Sequence, residues 1–284
     1  MSRATFLLAL PALLVLALFV VVLASFVSVS LMVVDPGSAV FHGPPTLANY
    51  NKLLVSEVAW RAVLITLRLS SEITVLTVLL GYPLARVLAR SHSRTLRRAI
   101  LFCLVATLLS GGVTRAYAWL IILGNQGLIN QGLRAVGLPR AALINNEFAV
   151  IISVLNFVLP FFVLTLFGAL RTIPEILEHA ARNLGASRWR SFVTVTLPLS
   201  LPGLAAATSL CFALSLGAFL FPQLLGGGRV QVLATAIYDR IQASYDVPSA
   251  AALAVLFFLL VLLMLAIVGG IRRLVAVRFA GEAA

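Results

Sequence analysis

Arg68 and Glu72 lie four residues apart inside a long apolar run, the spacing that puts two side chains on one helical face where opposite charges neutralise each other. Ions inside a membrane span are costly. Such a pair therefore either borders a polar path through the membrane or bridges helices or subunits. If a cation moves along that path, Glu72 is its natural acceptor. Arg115, Tyr117 and Trp119 form a second group, near one end of another apolar run. The two aromatics suit an interfacial belt. They equally suit a cavity rim that meets an ammonium group through its ring faces, although Arg115 works against a purely cation-attracting rim and is a candidate partner for Glu147. Asn156 and Pro160 could line the same path, the proline by freeing a backbone carbonyl.

Other chemistry is missing from the chain. His42, His92 and His179 are scattered, so no metal site is expected, and Cys103 and Cys211 sit in apolar runs as small buried hydrophobes. No Gly-x-x-x-x-Gly-Lys-Ser/Thr phosphate loop occurs, nor any Ser–His or His/Asp constellation, so no catalytic residue is assigned.

The most specific stretch is RTIPEILEHAARNLGASRWRSFVTVTLPLSLPG, beginning at Arg171. Thr172 and Glu175 have capping-box spacing, with Pro174 in the first turn. Ile176, Leu177, Ala180, Ala181 and Leu184 then share one helical face, while Glu175, Glu178, His179, Arg182 and Asn183 cover the other. Gly185 ends this helix in a left-handed position. Ser187 caps a second one carrying Trp189, Phe192, Val193 and Thr196 along one side, until Pro198 and Pro202 break the run. The pattern describes a short amphipathic helix pair outside the membrane. Ala180, Ala181 and Gly185 give it a low profile that another protein's groove could approach; an interfacial helix or a plain polar loop fits the same pattern.

What must position these groups is a bundle of membrane helices. Of 284 residues 61% are hydrophobic and only 11% charged, which excludes a soluble enzyme. Six runs are long enough to cross a bilayer, at about 4–34, 58–89, 99–123, 148–170, 201–225 and 250–271. The net charge of +12 is spread between these runs rather than along a polar stripe, so it argues for arginines at a membrane face and against nucleic acid. With the N-terminus inside, inner segments hold thirteen Arg, among them Arg3, Arg86, Arg90, Arg94, Arg97, Arg98, Arg171, Arg182 and the C-terminal Arg272, Arg273 and Arg278. Outer segments hold five basic residues, so both termini are expected in the cytoplasm. The first run is read as an uncleaved anchor, since it is longer than a signal-peptide core. Pro36-Gly37, Gly43-Pro44-Pro45, Gly137-Leu138-Pro139 and Gly226-Gly227-Gly228 supply turns in the outer loops. Small residues from Gly203 to Ala218 allow the fifth run to pack closely against a neighbour.

His179-Ala180-Ala181, followed by Gly185-Ala186 and by Leu197-Pro198, resembles the EAA loop of ABC-importer permeases, the cytoplasmic coupling helix that seats in an ATPase subunit. The resemblance extends over about 30 residues of segment 171–200, with one departure: His179 stands where the family has its first Glu, and Glu178 precedes it. Leu47-Ala48-Asn49-Tyr50, Leu80-Gly81-Tyr82-Pro83-Leu84-Ala85, Arg115-Ala116-Tyr117-Ala118-Trp119 and Gly124-x-x-Gly127-Leu128-Ile129-Asn130 are similar to the spermidine/putrescine-type branch.

The resemblance implies an all-α polytopic permease of one transmembrane domain over 1–284, in a bacterial inner membrane. It also implies a second homologous permease, two cytoplasmic ATPase subunits and a periplasmic substrate-binding protein as partners. Glu178, His179, Ala180, Ala181, Gly185, Ala186 and Pro198 would then face the ATPase, which holds ATP and Mg. Arg68, Glu72, Arg115, Tyr117, Trp119 and Asn156 are the candidates for the path of a small nitrogenous solute such as a polyamine. An amino-acid derivative, an opine or a phosphonate is the alternative cargo. A secondary carrier that couples to ions through Arg68 and Glu72 is the rival mechanism, and ATP dependence separates the two.

Overall fold

A computed structural model describes residues 3–34, 41–42 and 45–281, with side chains described for 10–33, 45–264, 266, 269 and 270. The turns at Pro36-Gly37 and Gly43-Pro44, and the side chains of Arg3, Arg272, Arg273 and Arg278, lie outside the described residues. The helices are α1 (Arg3–Ser30), α2 (Ala48–Val55), α3 (Glu57–Arg90), α4 (Arg94–Leu109), α5 (Gly112–Leu123), α6 (Leu128–Ala135), α7 (Glu147–Arg171), α8 (Glu175–Asn183), α9 (Arg188–Ser191), α10 (Leu197–Leu216), α11 (Leu220–Leu225), α12 (Leu233–Gln242) and α13 (Val247–Gly281). Among the described residues the only strands are the two-residue antiparallel pair Val33–Val34 and Phe41–His42.

Among the described residues five stretches are long and apolar enough to cross a membrane: Leu10–Ser30, Glu57–Arg90, Glu147–Arg171, Arg188–Leu216 and Val247–Met264. A sixth exists only if α4 and the segment Gly112–Ala135 count as one, and they meet at a bend of 104°. The run at 99–123 is therefore broken. Ser110 and Gly111 adopt extended backbone between the two helices. Glycines at 111 and 112 favour a break here, since glycine is a weak helix former and loses most entropy on ordering. The run at 201–225 also differs from expectation. Its helix ends at Leu216, and α11 forms separately after Gly217 and Ala218.

Residues 1–63 with 232–260 form one compact unit, and residues 64–231 with 261–284 another. In the first, Leu53, Ala59, Ala62, Leu233, Ala236, Ala252 and Leu253 make the core. Asn49 donates to the carbonyls of Ser30 and Met32 at 2.9 and 2.8 Å, and Tyr50 shares a 2.6 Å hydrogen bond with Ser30. Asn49 of the Leu47–Tyr50 motif thus caps the last carbonyl of α1, which has no partner within its own helix.

In the second unit α7 is the central helix, with Val150, Val154, Val158, Phe162, Val163 and Leu166 buried along it. Two glycines bring neighbours against it. A Cβ on Gly81 of α3 would lie 2.5 Å from the Phe162 ring, and one on Gly203 of α10 would overlap the Ala169 Cβ. Hydroxyls inside the helices bond to their own backbone, as Thr74 to Ser70 and Ser153 to Ala149, which satisfies them where water is scarce. Cys211 is buried as expected, whereas Cys103 is exposed on α4.

Candidate functional site

The chain leaves α7 through Thr172 and Ile173, and Ile173 is buried at the junction. Thr172 does not cap α8. Its hydroxyl turns back to the Ala169 carbonyl at 2.8 Å, and Pro174 holds the N-cap position with no side-chain bond. The capping-box reading fails because α7 runs to Arg171 and its unpaired carbonyls claim the hydroxyl first. The other end of α8 closes as expected. Gly185 has φ +90°, its N–H bonds to the Arg182 carbonyl at 2.9 Å, and the Ala186 N–H bonds to the Ala181 carbonyl at 3.1 Å. That pair of bonds is a Schellman cap.

Ser187 then accepts from the Arg190 N–H at 3.2 Å and starts α9. Pro198 and Pro202 do not interrupt the helical path beyond it. A π-helical turn, Phe192–Thr196, leads directly into α10, and Pro198 follows it.

The apolar face of α8 is turned outward. Ile176 is 72% exposed and Leu184 89%, and Leu177 and Trp189 are exposed beside them. Glu178, on the polar face, points inward. It accepts from Arg90 Nε at 3.2 Å and Thr196 Oγ1 at 2.7 Å, and its other oxygen lies 3.6 Å from Arg86. Arg90 also donates to the Ile173 carbonyl at 3.0 Å and to Glu175 at 3.5 Å. The Arg86 guanidinium stacks 4.3 Å above the Phe192 ring, and Tyr82 shares a 2.9 Å hydrogen bond with Ser200. His179 and Ala180 are exposed, while Ala181, Ala186 and Pro198 are half-buried. With its oxygens engaged by Arg86, Arg90 and Thr196, Glu178 does not stand in for a carboxylate at position 179.

From sequence alone Arg86, Arg90 and Thr196 carry no role beyond topology and helix face. Their signal is the four-residue spacing of the two arginines, which places both on one face of α3.

The charged groups inside the helices fall into two places. Arg68 bonds to Glu147 of α7 and lies 3.8 Å from Glu72, so its chief partner is the distant acid rather than its helical neighbour. All three side chains are about half exposed. Arg115 does not meet Glu147. It donates twice to the Ser110 carbonyl, at 3.2 and 3.0 Å, and its guanidinium lies 5.2 Å over the Phe157 ring. Arg115 thereby braces the break between α4 and α5, and its third nitrogen is buried without a hydrogen-bond partner. Tyr117 is exposed, Trp119 is half-buried, and so is Asn156. Glu147 and Asn156 lie nine residues apart on α7, about 180° around the helix. The candidates on α3, α5 and α7 thus do not converge on one point.

Residues 78–277 match the family described as binding-protein-dependent transport system inner membrane component. The chain is 32% identical over 224 residues to the spermidine/putrescine transport system permease protein PotB of Haemophilus influenzae, covering 77% of each. It is 36% identical over 221 residues to the molybdenum transport system permease protein ModB of Mycobacterium tuberculosis, covering 76% of this chain and 81% of that one. In fold it is similar to a chain of a bacterial ABC transporter that imports alginate, with a TM-score of 0.76 at 20% identity over 95% of this chain and 96% of that one. A chain of the MetNI methionine ABC transporter gives 0.60 at 23% identity over 78% and 99%.

Proposed function

The chain belongs to the binding-protein-dependent transport inner membrane components and is a permease subunit of an ABC importer; from that premise we propose that it passes a polyamine such as spermidine or putrescine across the inner membrane, driven by ATP hydrolysed on partner subunits. The observation that carries the mechanism is the outward-turned apolar face of α8, at Ile176, Leu177 and Leu184, held from behind by Arg86 and Arg90. A ridge of this kind on a helix outside the spans is suited to burial in another protein.

Two ATPase subunits, carrying ATP and Mg, receive this helix and its counterpart on a second homologous permease. A periplasmic binding protein delivers the solute to the opposite side, and both termini are cytoplasmic. Closure of the ATPases displaces α8, and the spans exchange outward for inward access as a two-state element. Glu72 and Glu147 supply carboxylates for an ammonium group on the outer part of the path. This subunit itself performs no chemistry.

A second reading, an oxyanion as cargo, is favoured by the relative named for molybdenum transport and by the unpartnered nitrogen of Arg115. Proteoliposomes holding the complete complex separate the two. ATP-dependent uptake of labelled putrescine supports the first, and uptake of labelled molybdate with none of putrescine supports the second. Leu184→Asp, outside every span, is expected to abolish uptake and weaken copurification of the ATPases. Uptake indifferent to ATP overturns both readings.

A further inference from the structure

Arg90 ends α3 and directs all three of its guanidinium nitrogens at one short segment: the Ile173 carbonyl, Glu175 and Glu178. Glu178 in turn gathers Arg90 and Arg86 from α3 and Thr196 from the turn that starts α10, while its own carbonyl accepts from Ser191 at 3.2 Å. One residue therefore joins α8 to α3 and to the start of α10.

These bonds are well placed to set the position of α8. A nine-residue helix is marginal by itself, and among its residues none is buried. Arg90 and Glu178 are 17% and 18% exposed, so their attraction is far less screened than that of a surface pair. Glu178 lies about 200° around the helix from Ile176 and about 120° from Leu184, facing away from the apolar ridge.

We propose that Glu178 is a positioning residue that locks α8 to the basic end of α3 and to α10, so that the three move as one body when the ATPases close. This rests on the importer reading, and it assigns to Glu178 an internal role distinct from contact with the ATPase.

The test uses the complete complex with Cys103 and Cys211 replaced and spin labels on cysteines at His92 and Asn183, both exposed. The distance between the labels is expected to stay constant on ATP binding. In Glu178→Gln it is expected to broaden or shift with ATP, and uptake of labelled putrescine per ATP hydrolysed is expected to fall about tenfold, the scale of one lost charge-assisted bond. Glu178→Asp is expected to recover part of that ratio. A label distance that changes on ATP binding without any substitution overturns the proposal, as does a Glu178→Gln complex with the parent's distance and width. If Glu178→Gln does not assemble, Thr196→Val decides: it removes one bond and no charge, and a distribution identical to the parent's overturns the lock. Failure of the importer reading has a separate signature, since the ATPases then do not copurify and ATP changes neither distance nor uptake.

Discussion

Gly185 and Arg68 show how differently single residues bear on this chain. At φ +90° a side chain at position 185 is strained whatever the space around it, and no heavy atom lies within 4 Å of where a Cβ would be. Backbone conformation therefore decides which substitutions are tolerated. Asn enters the left-handed region more readily than Ala, and β-branched residues least of all. Uptake by the reconstituted complex is expected to fall in the order Gly, Asn, Ala, Val; an Ala variant that outperforms Asn means that room for the ATPase governs the position instead. For Arg68 the magnitudes are small, because its pairs with Glu147 and Glu72 are half exposed and such pairs contribute about 0–1 kcal/mol. Arg68→Gln is expected to lower the melting temperature of the detergent-solubilised complex by only a few degrees at low salt. That difference is expected to shrink as salt rises. A large, salt-independent loss contradicts an exposed ion pair and places Arg68 in a dry site.

At the scale of elements, α7 and α10 meet where Gly203 faces Ala169. Adding a methyl to so close a contact forces the helices apart, at about 1–3 kcal/mol. Gly203→Ala is expected to lower thermal stability by that amount, and Gly203→Ala with Ala169→Gly to restore most of it; a double variant no better than the single refutes the close approach. This contact was legible beforehand, because a run of small residues in a span signals a tight neighbour. So were the long apolar runs and the left-handed end of α8. The breaks after Leu109 and Leu216 were not, since hydropathy averages over Ser110–Gly112 and Gly217–Ala218 without registering that the backbone stops being helical. The orientation of α8 was not legible for another reason. Periodicity separates polar from apolar faces, and the apolar face is ordinarily the inner one. Here two arginines some ninety residues upstream hold Glu178 inward, and pairing across that distance leaves no local trace in the sequence.

For the whole molecule, the direction of insertion decides which partner each surface can meet. Arg86, Arg90 and α8 lie at one end of the second unit's long helices. Arg68 and Glu147 lie at the other, since eighteen residues of helix separate Arg68 from Arg86, about 27 Å and close to the thickness of a bilayer core. We propose from the excess of arginine at the α8 end that this end faces the cytoplasm, where a helix with Ile176, Leu177 and Leu184 exposed would reach an ATPase. Single cysteines test this in intact cells with both native cysteines replaced. A membrane-impermeant thiol reagent is expected to label a cysteine at Val136, exposed at the end of α6, from outside, and one at Asn183 only after the membrane is opened. The reverse pattern turns the apolar ridge toward the periplasm, where no ATP is available to move it, and with that orientation the importer mechanism built on α8 fails.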